Sequence, residues 1–120
     1  DLVGYDPFNA DLIIPKIEDV GLTVGAVRQG YLSLSPPTKR LEVMVLNKDI
    51  KHSGCPIMAW NMANVELETD AAGNIKPSKK LSKNKIDGVA AVVTALAAYM
   101  HKEINGEEEL TLEKLKEMYG

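Results

Sequence analysis

The residues best placed to do chemistry are two aspartates, a run of lysines, one arginine and a histidine–cysteine pair. Asp87 stands at the first turn of an uncharged stretch, Gly88 to Met100, and follows Lys76, Lys79, Lys80, Lys83 and Lys85, which share a ten-residue window without an acid. A carboxylate at the mouth of an apolar helix, beside basic residues, is where chemistry is expected. Asp6 ends the strand-like run Leu2-Val3-Gly4-Tyr5, because Pro7 cannot continue a sheet ladder. In open α/β sheets, ligands bind at the carboxyl ends of strands. Arg28 follows a second strand-like run, Thr23 to Val27, at the equivalent edge, where a guanidinium can grip a phosphate through two hydrogen bonds. His52 and Cys55 are spaced like two metal ligands, but a zinc site needs three or four, and His101 is the one further candidate. As a nucleophilic pair they lack a third group to orient the histidine.

Each of these residues also has a plainer role. If Asn84 caps the helix, Asp87 sits at its third position and favours the positive end of the helix dipole by about 0.3–1 kcal/mol. An Asp before Pro commonly shapes a turn, which would account for Asp6. Arg28 and any single lysine are equally well explained as solvated surface residues.

The elements that must hold these groups can be read from pattern. Val89, Val92, Val93, Leu96 and Met100 form a helical stripe among helix-favouring alanines, so the stretch Lys85 to Met100 reads as a buried helix. Leu2 to Tyr5 and Thr23 to Val27 read as strands. Between them a helix is expected, capped by Asn9, with Leu12, Ile13 and Ile17 inward and Gly21 at its end. Pro15 means that it is kinked or starts late. Ser35-Pro36-Pro37 reads as a helix start, with serine as cap, and the helix runs to about Lys48 with Leu41, Met44 and Val45 buried. Residues 51–56 form a turn. Pro56 to Asn64 reads as a helix with Trp60 as a core anchor and Asn64 satisfying backbone groups near its end. Val65 to Thr69 alternates apolar and polar, residues 70–74 turn, and Ile75 to Pro77 returns, a hairpin with Glu66 and Glu68 facing solvent. After Gly106 an acidic peripheral helix is expected over Glu107 to Met118.

The totals bound the class. The chain of 120 residues is one domain or part of one, and 45% hydrophobic residues suffice for a core. One cysteine, Cys55, excludes an internal disulfide, in keeping with a reducing cytosol. No signal peptide opens the chain, and the uncharged stretch is too short for a membrane span, which needs about 20 apolar residues. The chain opens on Asp1 and enters strand-like residues at once, so it is expected to be a piece of a longer protein. Net charge is −3, but residues 103–120 carry six acids and two lysines, a net −4, which leaves +1 for the rest. The pattern is a basic patch with an acidic tail, dividing the chain into residues 1–102 and 103–120. No G-x-x-x-x-G-K-[ST] motif is present, so no ATP-binding P-loop is recognisable.

Seven segments occur in a familiar order: Tyr5-Asp6-Pro7-Phe8-Asn9-Ala10, Val27-Arg28-Gln29-Gly30, Ser35-Pro36-Pro37-Thr38-Lys39, His52-Ser53-Gly54, Trp60-Asn61-Met62-Ala63-Asn64-Val65, Gly73-Asn74-Ile75-Lys76-Pro77 and Lys85-Ile86-Asp87-Gly88-Val89-Ala90-Ala91. From about Val3 to Met100 this resembles the C-terminal nuclease domain of the large terminase subunit of tailed bacteriophages. The resemblance implies a ribonuclease H-like α/β fold, a mixed sheet flanked by helices, here without its first strands. It implies a metal-dependent endonuclease that cuts concatemeric phage DNA during genome packaging, in the host cytoplasm. Asp6 and Asp87 match the family's catalytic metal ligands, for a two-ion site of Mg²⁺ or Mn²⁺. Two such ions, about 3.5–4 Å apart, activate water on one side of a phosphodiester and stabilise the leaving oxygen on the other.

Double-stranded DNA, the terminase small subunit and the portal protein are the implied partners, with no membrane. Arg28, Lys76, Lys79, Lys80, Lys83 and Lys85 would hold the DNA backbone. The family's further essential acid lies on a strand upstream of the match to Asp6. The chain is therefore expected to be the second half of the domain and to cut weakly or not at all alone, with the motor domain elsewhere. The rival expectation is a non-catalytic module that docks DNA or a partner, whose acids cap helices and whose acidic tail meets a basic surface.

Overall fold

The computed structural model describes residues 2–8 and 10–119, with side chains described as far as residue 103. The elements in order are β1 (Leu2–Tyr5), α1 (Ile14–Asp19), β2 (Thr23–Ala26), α2 (Tyr31–Leu46), α3 (Pro56–Asn64), β3 (Leu67–Thr69), β4 (Ile75–Pro77) and α4 (Asp87–Tyr119). The result is a mixed α/β chain in which α4 is the central support. It packs against α2, α3 and β1.

The described strands form two separate two-stranded sheets. β1 and β2 are parallel, with Gly4 opposite Gly25 and Tyr5 opposite Ala26, and the pairing runs on as the Val27 amide donates to the Tyr5 carbonyl at 2.7 Å. β3 and β4 form an antiparallel hairpin, with Leu67 opposite Pro77 and Glu68 opposite Lys76. The hairpin packs on α2, where the Ser35 hydroxyl accepts the Ile75 amide at 3.0 Å.

The core gathers Val27, Leu34, Leu41, Val89, Val93 and Ala98, with Val89 and Val93 only 2% and 1% exposed. α4 meets β1 closely at Gly4, against the Thr94 backbone and the small Ala98 side chain. A Cβ on Gly4 would lie 2.7 Å from the Thr94 carbonyl oxygen and 3.0 Å from Ala98 Cβ, so glycine there lets strand and helix backbones touch.

Several expectations are corrected. α1 starts late, as one of the two readings of Pro15 has it, with that proline in the first turn where a missing N–H costs nothing, but Leu12 and Ile13 are exposed rather than inward. The expected cap Asn9 lies outside the described residues. α2 begins at Tyr31 with Gly30 as its cap, so Pro36 and Pro37 fall inside the helix. Ser35 is buried and used for the hairpin instead of capping. The Thr38 hydroxyl donates back to the Leu34 carbonyl at 2.6 Å, one turn below. Lys48, at φ 57, lies in the left-handed region just past the end of α2, and Val45 is partly exposed. Trp60 is 48% exposed and anchors no core, because α3 meets α4 through its Asn61 side instead. The backbone of α4 continues through Gly106 to Tyr119 in place of a second helix. Among the described residues no helix is long and apolar enough to cross a membrane.

Candidate functional site

Asp6 is the first residue after β1. Its Oδ1 accepts the Phe8 amide at 3.0 Å across Pro7, the turn-forming use of an Asx residue, and Oδ2 makes no bond with a described residue. The turn role and an open carboxylate oxygen therefore coexist. Asp6 lines a cleft of about 370 Å³ between β1, the hairpin and α4, walled by Gln29, Glu68, Lys76, Lys79 and Lys80, with Leu34, Ile86 and Val93 at its base.

Asp87 is the first residue of α4. Its carboxylate is 71% exposed and pairs, among the described residues, with Lys79, Nζ to Oδ1 at 3.5 Å, itself 73% exposed. A long, solvated pair of this kind contributes little to stability. Asp87 lines a second cleft of about 360 Å³ with Ser82, Lys83, Asn84 and Lys85. Lys79 and Ile86 line both clefts, so the two acids face adjoining hollows that share one lysine wall.

Asn84 does not cap α4. The residue before the helix is Ile86, buried at 2% and unable to cap with its side chain; its carbonyl accepts the Ala90 amide at 2.9 Å. The Gly88 amide is accepted by Asn61 Oδ1, from α3, at 2.9 Å.

The lysine segment is a built structure. Ser78 is fully buried, its amide bonds the Glu66 carbonyl at 2.8 Å, and its hydroxyl accepts the Leu81 amide at 3.0 Å. Ser82 bonds back to the Ser78 carbonyl and accepts the Glu66 amide at 3.0 Å. Two serines thus tie a tight turn to the hairpin, and Lys79 and Lys80 project from it. Lys76 lies over the Tyr31 ring, Nζ 4.7 Å from its centroid, a cation–π contact that steadies the ammonium at the cleft wall. Burial, the nearby carboxylates of Glu68 and Asp70, and a hydrogen bond with Glu68 push the Tyr31 phenol above its usual pKa.

Of the residues singled out by sequence, Asp6, Lys76, Lys79 and Lys80 meet in the first cleft, and Asp87, Lys79, Lys83 and Lys85 in the second. Arg28 is exposed and lines neither. Glu68 is the main omission. It is half-buried and lines the same cleft as Asp6, and its hairpin partner Lys76, on the same face of the hairpin, lines it too. The turn at residues 70–74 fixes that pairing, so the signal was available in the hairpin register. Gln29 was likewise missed; its Nε2 donates to the Val27 carbonyl at 3.0 Å.

His52 and Cys55 line a separate apolar groove of about 830 Å³, and His52 Nδ1 accepts the Gly54 amide at 3.0 Å, a local turn contact. Among the described residues no three His, Cys, Asp or Glu side chains converge as a metal-holding group. Asp6 and Asp87 still have the donor character that a hard divalent cation takes. Each is an exposed carboxylate with no strong bond to break, and Mg²⁺ is commonly held by one or two carboxylates with water and substrate phosphate completing its shell.

Residues 1–103 match the family model described as the terminase large subunit, endonuclease domain. The chain is 34% identical over 117 residues to protein YmfN of Escherichia coli K12, covering 96% of this chain and 25% of that protein. It is 28% identical over 98 residues to the terminase large subunit of Enterobacteria phage HK97, covering 80% of this chain and 19% of the relative. The crystal structure of the HK97 large terminase superposes with a TM-score of 0.72 at 26% identity, over 81% of this chain and 21% of that one. The chain thus spans between about a fifth and a quarter of the length of these proteins. With a family model covering most of its length and the same backbone arrangement in a solved terminase, the chain belongs to the terminase large subunit endonuclease domain family.

Proposed function

We propose that the chain is part of a metal-dependent DNA endonuclease that cuts concatemeric phage DNA during genome packaging. The observation that carries this reading is that two exposed acids, each at the end of an element that is itself fixed, line adjoining clefts with five lysines around them. Lys76, Lys79, Lys80, Lys83 and Lys85 all line one or other of the adjoining clefts. A carboxylate pair alone would repel DNA, and a lysine wall alone would bind it without acting on it.

Asp6 and Asp87 are the proposed holders of Mg²⁺ or Mn²⁺ in a two-ion site. Divalent ions held there supply an activated water and stabilise the departing alkoxide. The chain's own residues do the rest. Lys79, Lys80 and Lys83 neutralise backbone phosphates, which positions DNA without reading its sequence. Lys79 releases Asp87 when a phosphate competes for its ammonium, which frees the carboxylate as DNA arrives. Lys76, held over Tyr31 and opposite Glu68, keeps its charge at the rim of the first cleft.

The parallel pair β1–β2 is read as the edge of a ribonuclease H-like sheet. The terminase small subunit and portal are the proposed protein partners, in the host cytoplasm. These follow from the family to which the chain belongs.

The test is a Mn²⁺ titration that follows the side-chain carboxyl carbons of Asp6 and Asp87. Both are expected to broaden over the same range of concentration. If millimolar Mn²⁺ leaves both unchanged even when the upstream sequence is restored, the nuclease reading fails, and a docking module whose acids serve only turns and helix ends takes its place.

A further inference from the structure

The start of α4 is fastened by a neighbouring helix rather than by its own sequence. The Gly88 amide belongs to the first turn, where no intrahelical acceptor exists, and Asn61 Oδ1 accepts it at 2.9 Å. Asn61 is buried, and its Nδ2 donates to the Ile57 carbonyl at 3.0 Å. Both ends of this amide are therefore used, and only one orientation of the group satisfies both bonds. Near the end of α3, Asn64 Nδ2 donates to the Lys85 carbonyl at 3.1 Å. The backbone is thus held at Lys85 and at Gly88, on either side of Asp87, while Ile86 is sunk in the core. Gly88 itself lies against α3, where a Cβ would come 3.1 Å from Met58 Cε and 3.4 Å from Asn61 Oδ1. The Asp87 carboxylate takes no part in any of this. It stands 71% exposed beside a surface lysine.

We propose that Asn61 and Asn64 are positioning residues for Asp87, a two-point amide clamp that fixes the peptide on either side of the acid so that its carboxylate meets a divalent cation in one geometry. The proposal rests on the reading of Asp87 as a metal-binding acid. A helix start needs one cap for its own stability. Here a buried amide and a second amide bracket a single exposed carboxylate, an arrangement that restrains the ligand's backbone and leaves its oxygens free.

The experiment uses the whole chain, with Mn²⁺ as the probe. Paramagnetic broadening of the Asp87 amide reports Mn²⁺ affinity, and hydrogen exchange of the Gly88 amide in metal-free protein reports the clamp itself. Asn61→Ala and Asn64→Ala are compared with Leu41→Val, a core change on α2 that lowers stability without touching the clamp. The asparagine variants are expected to weaken Mn²⁺ binding about tenfold or more, the scale on which partners of metal ligands act. Asn61→Ala is also expected to speed Gly88 exchange about tenfold beyond any change in Leu41→Val. Wild-type Mn²⁺ affinity in the asparagine variants, or an equal loss in Leu41→Val, overturns the proposal. Should Asn61→Ala fail to fold, Asn64→Ala decides alone, since the bond it removes lies at the surface. Asp87→Asn separates the two layers. If it leaves Mn²⁺ binding unchanged, the metal reading falls and takes the clamp's purpose with it. If it removes binding while the asparagine variants keep it, the clamp proposal alone falls.

Discussion

Gly4 and Gly25 face each other in the parallel pair β1–β2, and neither has a positive φ, so alanine is conformationally allowed at both. The same substitution is expected to act with opposite sign at the two positions. At Gly4 the new Cβ would lie 2.7 Å from the Thr94 carbonyl oxygen and 3.0 Å from Ala98 Cβ, and the first of these neighbours is the backbone of α4. Relief requires the helix and strand to separate by roughly half an ångström, and overpacking of a well-filled interior costs about 1–3 kcal/mol. At Gly25 the Cβ would lie 3.6 Å from Ala98 Cβ and 3.8 Å from Leu2 Cδ1, ordinary contact. There alanine should stabilise by about 0.4–1 kcal/mol through the unfolded chain. The two variants should thus differ by about 1.5–4 kcal/mol. Urea unfolding followed by far-UV circular dichroism measures the difference directly. If Gly4→Ala and Gly25→Ala shift stability in the same direction by similar amounts, the close backbone contact between β1 and α4 is not what holds them together.

Two further outcomes follow from the cleft and the hairpin. In DNA binding measured against salt, Lys79→Ala with Lys80→Ala should flatten the slope of log K against log salt by about 0.9 for each phosphate no longer neutralised, roughly 2 for the pair, while Arg28→Ala, outside both clefts, should leave the slope unchanged. The Asp70 carboxyl is held below its usual pKa, first by the Asn74 side-chain amide and then by the backbone amides of Asn74, Ala72 and Gly73, against the opposing effect of burial. A carboxyl lowered in the folded state stabilises above its unfolded pKa, and that contribution is lost as pH falls through the folded value. Asn74→Ala should raise the Asp70 pKa in a carbon-13 titration, and its stability deficit should be present at neutral pH and close on acidification; a deficit independent of pH would assign it to packing instead.

What the sequence made legible was local. The apolar stripe of α4, the proline that opens α3, and the turn between β3 and β4 each rest on a short-range rule, and each is found where the pattern placed it. The exceptions have a common cause. Ser35-Pro36-Pro37 has the chemistry of a helix start, yet α2 begins at Tyr31, because Ser35 is needed by the Ile75 amide forty residues away. Asn84 has the chemistry of a cap, yet Asn61 supplies it from another helix. Glu68 has the look of a solvated strand residue, yet its register with Lys76 turns it into the cleft. In each case a role expected from neighbours in sequence was displaced by a contact from another element. The two candidate clefts were legible in the same degree. The basic run and the two acids were visible as residue types, whereas the walls they share at Lys79 and Ile86 depend on how α4 sits against the hairpin.

The two acids make no direct bond to each other, so their relation must be set through the backbone. Asp6 ends β1, and β1 is fixed to α4 where Gly4 lies against Thr94 and Ala98. Asp87 begins α4, and that end is fixed to α3 where Gly88 lies against Met58 and Asn61. Contacts through glycine have no rotamer to adjust, so they transmit backbone position more rigidly than contacts between long side chains. The connection between the clefts, residues 78–85, begins in a serine-held turn and ends at the Lys85 carbonyl bonded by Asn64. The end of β1, the start of α4 and the connection between the clefts are thus each held at a defined point. This is why both carboxylates can remain exposed and lightly bonded without becoming loosely placed. A carboxylate buried to fix its position would carry a desolvation penalty and a strong internal partner, and either would oppose its use as a ligand. Here the backbone beside each acid is held, and the carboxylates themselves are only lightly bonded, Asp6 to the Phe8 amide and Asp87 to Lys79.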